Sequence, residues 1–180
     1  MEPRRRRIDQ VTDPAYVQDL ELLSMDELRN RRRVLDDLDT EFSFYRRMLH
    51  GRMDLLSFEM KRRSGEETRS LIEALPQILA DGIDGPSRNT IPKDLSLDLP
   101  ELSGSGNRSI DRVLGDGFLA YLPSLEDDEL EDIQATLTEA EQQVSTQRRS
   151  VYDVHDRISE EITRRYRDGL VDTADLLKEQ

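Results

Sequence analysis

Five polar residues stand at a spacing that would put them on one side of a helix: Asp39, Ser43, Arg46, His50 and Asp54. A second set, Glu141, Ser145, Arg148, Tyr152 and Asp156, keeps the same spacing 102 residues later. At about 100° per residue the acid, the Ser, the Arg and the last Asp fall within one stripe of roughly 80°, which His50 or Tyr152 makes continuous. The chemistry of such a stripe is recognition. An arginine fork reads the O6 and N7 acceptors of guanine. A carboxylate accepts from guanine's N1 and N2 donors, and Ser and Arg also serve phosphate oxygens. A duplicated set suits a two-fold symmetric or paired ligand if its helices run antiparallel, and a symmetric guanine dinucleotide is the natural candidate. The plainer alternative is a solvated face, with Glu–Arg and Arg–Asp pairs that contribute roughly 0.3 kcal/mol each.

The duplication weighs against that alternative. Shifted by 102 residues, Arg46-Arg47 falls on Arg148-Arg149, Glu59 on Glu161 and Arg62-Arg63 on Arg164-Arg165. Apolar matches follow from any shared heptad, but identical polar residues do not. Catalytic chemistry finds little material. There is no cysteine, so thiolate nucleophiles and sulfur-ligated zinc are excluded. Only His50 and His155 are available as imidazoles. His155 and Asp156 are adjacent on a helix, about 100° apart, which is no working dyad. The reading is of a non-enzyme without a metal.

The elements that must carry these residues are helices. Leu28, Leu35, Phe42, Leu49 and Leu56 recur every seven residues, with Leu38 and Tyr45 in companion positions. Leu130, Leu137, Val144, Val151 and Ile158 do the same, with Ile133, Ala140 and Val154. Five heptads in each predict an all-α protein: a long two-helix coiled coil over about 25–63 and 125–167, of a polarity that spacing leaves open. Ser24 with Glu27 is expected to cap the first helix, Ser124 with Asp127 the second, and Ser64 with Glu67 a short amphipathic helix that Pro76 perturbs. Gly65 and Gly169 are the expected stops. Residues 1–15 read as a disordered tail and 16–180 as a single coiled-coil domain. Within it, 64–123 form a loop with short helices, Gly/Pro-rich and flexible around Ser103–Asn107. Short helices are also expected near 109–114 and 172–178.

The net charge is −13, which repels nucleic acid and anionic membrane and favours a basic partner. No run approaches the ~20 apolar residues of a membrane span, and no apolar segment follows Arg4–Arg7, so the cytoplasm is the expected compartment.

The pattern E-x3-S-x2-R-x3-Q-x3-D, present twice on paired helices, resembles the cyclic-di-GMP signature of the RsiG family of actinobacterial anti-sigma factors. The flanks YRRMLHGRMDLL and EEITRRY are similar to that family too, and the resemblance spans about 14–177. It implies antiparallel helices, cyclic-di-GMP bound as a dimer by Asp39, Ser43, Arg46, His50, Asp54, Glu141, Ser145, Arg148, Tyr152 and Asp156, and a WhiG-type sporulation sigma factor held from RNA polymerase. Asp39 departs from the family's Glu, and His50 and Tyr152 from its Gln. Asp39, a methylene shorter, is expected to give Arg46 weaker support. Sigma anchors are expected among Tyr16, Leu71, Ile72, Phe118 and Tyr121. The alternative function is a coiled-coil adaptor without a nucleotide.

Overall fold

The computed structural model describes residues 6–81 and 117–170, and all regular structure among them is helical. Two long helices, Met25–Ser64 and Asp127–Arg167, dominate. Neither contains proline, and the first tolerates one interior glycine, Gly51. Every heptad residue named above is buried. Removing a Leu or Val side chain from water contributes about 1.5–3 kcal/mol, and this burial holds the helices together.

The chain divides into two compact units, Met1–Glu41 with Thr146–Gln180, and Phe42–Ser145. In the first, Asp39 meets Arg148, Asp36 meets His155 and Arg29 meets Tyr166. In the second, Arg46 meets Glu141 and Arg63 meets Asp127. Within each unit the pairing descends one helix as it ascends the other, so the long helices pack antiparallel, the polarity that spacing left open.

Both long helices end alike. Gly65 has φ 83° and Gly169 φ 69°, and the next residues donate back over the last turn, Glu66 N–H to the Lys61 carbonyl and Leu170 N–H to the Arg165 carbonyl. This left-handed closure is why glycine stands there. A Cβ on Gly65 would meet nothing within 4 Å, so Gly65→Ala carries only the backbone cost. Chemical denaturation should show a loss of about 1 kcal/mol.

The starts differ in part from expectation. Ser24 Oγ does accept from Glu27 N–H at 3.1 Å. Ser124, however, lies in a 3-10 turn, Leu122–Ser124, and donates to the Tyr121 carbonyl. Glu126 precedes the second long helix instead, and its N–H donates to Glu129 at 2.9 Å. Ser64 is the last residue of the first long helix. The short helix Leu71–Asp81 starts from a reciprocal Ser70–Glu73 cap and runs on through Pro76.

The expected disordered tail is corrected over Arg7–Val11, which form a short helix. Val11 is buried, and Arg7 reaches Glu41 at 2.7 Å. The turn Pro14–Val17 follows, with the Arg31 guanidinium over the Tyr16 ring. Phe118 is fully buried with Arg52 across its ring, so it belongs to the core and not to an exposed anchor set. Ile72, by contrast, is 83% exposed. The expectations for 1–5, for the Gly/Pro-rich segment 82–116 with its helix at 109–114, and for 172–178 lie outside the described residues.

Candidate functional site

The two polar sets sit beside the apolar seam. Sequence grouped each set along its own helix, but the structure regroups them across the helix pair. In the unit Phe42–Ser145, Arg46 and His50 of the first long helix face Glu141 and Ser145 of the second. In the unit Met1–Glu41 with Thr146–Gln180, Asp39 faces Arg148 and Tyr152. The acid of each copy therefore holds the arginine of the other. Asp39 supports Arg148 and not Arg46, which corrects the expectation from sequence. The reason is geometric: two turns of helix, about 10 Å of rise, separate residues seven apart, while antiparallel packing brings residue 39 opposite residue 148.

The first cluster centres on one oxygen. Glu141 Oε1 accepts from Arg46 Nε at 3.1 Å and Ser145 Oγ at 2.7 Å, and lies 3.2 Å from His50 Nε2. Burial pushes the Glu141 carboxyl up, but the hydrogen bonds from Ser145, His50 and Arg46 together hold it below the ordinary carboxylate range. Only Nε of Arg46 is engaged. Among the described residues Nη1 and Nη2 carry no hydrogen bond, so the fork stays open for a planar acceptor pair.

The second cluster is closed. Arg148 Nε donates to Asp39 Oδ1 at 2.7 Å, and Nη2 donates to the Tyr152 hydroxyl at 2.6 Å. The guanidinium carbon also lies 4.9 Å from the centre of the Tyr152 ring. The phenol is held above its usual pKa by burial and by its hydrogen bond to Asp39. Ser43 forms no hydrogen bond among the described residues, whereas its counterpart Ser145 bonds Glu141. The shorter Asp39 carboxylate is committed to Arg148.

Asp54 and Asp156 lie off both clusters and are exposed. Asp54 forms no hydrogen bond or ion pair among the described residues. Asp156 makes only a 3.7 Å contact with His155, whose other ring nitrogen is 3.3 Å from Asp36. A groove of about 710 Å³, with Val17, Leu20 and Arg157 in its lining, reaches the polar sets only at Asp156. Neither motif arginine lines it, so it is not the place where these sets converge.

The repeated Glu59, Arg62-Arg63 and Glu161, Arg164-Arg165 have a structural task that their spacing alone does not show. Glu59, 1% exposed, accepts from Arg62 and Arg63, and Glu161 accepts from Arg164 and Arg165 in the same pattern. Each second arginine then clasps the chain entering the opposite long helix. Arg63 donates to Asp127 at 2.8 Å and the Pro123 carbonyl at 3.4 Å. Arg165 donates to the carbonyls of Leu23 at 2.7 Å and Leu20 at 2.8 Å. The duplication thus reaches the turns before the helices, Leu20–Leu22 and Leu122–Ser124. The signal available in sequence was the repeat itself, continued outside the heptads.

Among the described residues no three His, Cys, Asp or Glu stand together so as to hold a metal ion, and no helix is long and apolar enough to cross a membrane. The RsiG-like family model matches residues 14–79, a stretch that contains the first polar set whole. The resemblance read from the motif is thereby met independently over that stretch. No curated protein matches the chain.

Proposed function

We propose that this RsiG-like chain is an anti-sigma factor that binds cyclic-di-GMP at both copies of its motif and, so armed, holds a WhiG-type sporulation sigma factor away from RNA polymerase. The observation that carries the nucleotide part is the state of Arg46: fixed at Nε by Glu141, with its fork free. A guanidinium positioned from behind meets the O6 and N7 of guanine without first being ordered. The exposed carboxylates of Asp54 and Asp156 supply acceptors for the N1 and N2 donors. The ligand brings guanine edges and phosphate oxygens; the chain brings orientation and charge. The sigma part rests on the family match, and a net charge of −13 suits a basic partner surface.

Isothermal titration of cyclic-di-GMP into the purified protein tests the first claim, and heat with saturation is expected. Capture of a WhiG-type sigma factor below saturation tests the second. Nucleotide and sigma factor must strengthen each other reciprocally if the nucleotide favours the sigma-binding form. Equal capture with and without nucleotide would select the plain adaptor.

Asp54→Asn tests base identity. The substitution keeps shape and disturbs no partner, but turns a donor toward guanine's own donors. Discrimination against cyclic-di-AMP should fall about tenfold, and unchanged discrimination would reduce Asp54 to a surface charge.

A further inference from the structure

Two copies of one motif invite the assumption that they act alike, but their arginines are not in the same state. Arg46 is held at one nitrogen, by Glu141, and both nitrogens of its fork are open among the described residues. Arg148 is held at two, by Asp39 and by the Tyr152 hydroxyl. The Tyr152 ring also lies against its face. Acid and phenol together thus hold two nitrogens of one guanidinium. That hold engages Nε and one N–H of Nη2 and covers one flat side of the guanidinium, so a guanine must compete with it for Arg148 in a way it need not at Arg46.

The corresponding position of the other copy cannot do this. His50 bonds Glu141 and leaves Arg46 alone. An imidazole is too short to return to an arginine four residues earlier while it faces the opposite helix, whereas a phenol places its oxygen farther out. The difference therefore follows from the residue types at positions 50 and 152.

We propose that Tyr152 is an internal clasp on Arg148 that makes the two copies unequal: the Arg46 copy is preformed for a guanine and binds first, and the Arg148 copy binds only as Tyr152 lets go. This rests on the nucleotide reading above and deepens it. Tyr152 is a specificity-determining residue, since it sets how much nucleotide is required to fill both copies. It is 39% exposed, so it is free to swing into solvent without disturbing the core. Once released, its ring is available to stack on a base. Opening the clasp breaks one charge-assisted hydrogen bond and one stacking contact, a cost that the Arg46 copy does not bear.

The test compares Tyr152→Phe with the parent. Phenylalanine keeps the ring and removes the bond to Nη2. Titration of cyclic-di-GMP into the parent should show unequal steps, and Tyr152→Phe should tighten the weaker step roughly threefold to tenfold, as expected for one partly exposed hydrogen bond to a charged group. His50→Phe should not reproduce that gain. Arg46→Ala should remove the tight step and Arg148→Ala the weak one. A nucleotide-independent readout comes from the arginine side-chain NMR signals of the free protein. Rotation at the Nη2 end of the Arg148 guanidinium should be hindered in the parent and faster in Tyr152→Phe, with the Nη nitrogens of Arg46 unhindered in both. Equal steps in the parent, or an unchanged weak step in Tyr152→Phe, overturn the clasp. No heat from the parent or any variant overturns the nucleotide reading itself, and with it the inequality of binding.

Discussion

An Arg46→Ala, Arg148→Ala double variant should keep its helices and lose cyclic-di-GMP. Both arginines lie on the rim of the seam, with side chains 32% and 25% exposed. Their ion pairs with Glu141 and Asp39 contribute little to stability, since pairs this exposed are worth about 0–1 kcal/mol, and alanine is the best helix former. Circular dichroism should therefore be unchanged. Binding has no comparable reserve. Each bidentate arginine–guanine contact is worth about 1–3 kcal/mol, so affinity should fall by roughly thirtyfold at the least and by roughly ten-thousandfold or more at the most. Sigma capture should fall with it and should no longer respond to nucleotide. Parental affinity in the double variant removes the assignment of both residues.

The largest loss of stability is expected at Arg165. This side chain is 8% exposed and serves three acceptors: Glu161 at 2.7 Å and the carbonyls of Leu20 and Leu23. Methionine would fill much of the volume but leave the Leu23 carbonyl without its guanidinium donor, the Leu20 carbonyl with the Leu23 N–H alone, and Glu161 without one of its arginines. Breaking a buried ionic cluster from one side costs about 3 kcal/mol. Acid should expose the same cluster. Bonded by Arg164 and, against the opposing effect of burial, by Arg165, the Glu161 carboxyl is lowered to about 2. A carboxyl lowered in the folded state stabilises fully above its unfolded value, near 4.5, and loses that contribution as pH falls toward 2. Glu59, lowered chiefly by Arg62, acts in the same direction. Urea unfolding at pH 7 and pH 3 should show the gap between parent and Arg165→Met narrowing in acid. A gap of the same size at both pH values would mean that Glu161 is not part of the loss.

The heptads made the two long helices legible, because a seven-residue apolar repeat has few other uses and fifteen of fifteen heptad residues are buried. Capping was less legible. In a chain with 39 Asp and Glu among 180 residues, Ser-x-x-acid arises without a structural cause, as at Ser64 and Ser124, and the true pair at Ser70 and Glu73 looks no different. Arg7–Val11 was unreadable as a helix because five residues show no period. The polar sets were found by their repetition, but not their partners. Which acid meets which arginine depends on polarity and register, and spacing along one helix contains neither. Spacing therefore puts Asp39 beside Arg46, where the structure has Arg148.

The hydrogen bonds from Arg165 to Leu20 and Leu23 also set a timetable. They join residues separated by 142 and 145 positions, and the unit they close is made from the two ends of the chain, with Phe42–Ser145 between them. On a ribosome the turn Leu20–Leu22 emerges long before the Arg165 side chain that bonds the Leu20 and Leu23 carbonyls. Phe42–Ser145 has its own core and emerges whole before Arg165 is made. Synthesis therefore delivers Phe42–Ser145 before Arg165, and the unit that joins Met1–Glu41 to Thr146–Gln180 is completed after it. A chain cut short before Arg165 leaves the Leu20 and Leu23 carbonyls without the guanidinium that ties them to the second long helix.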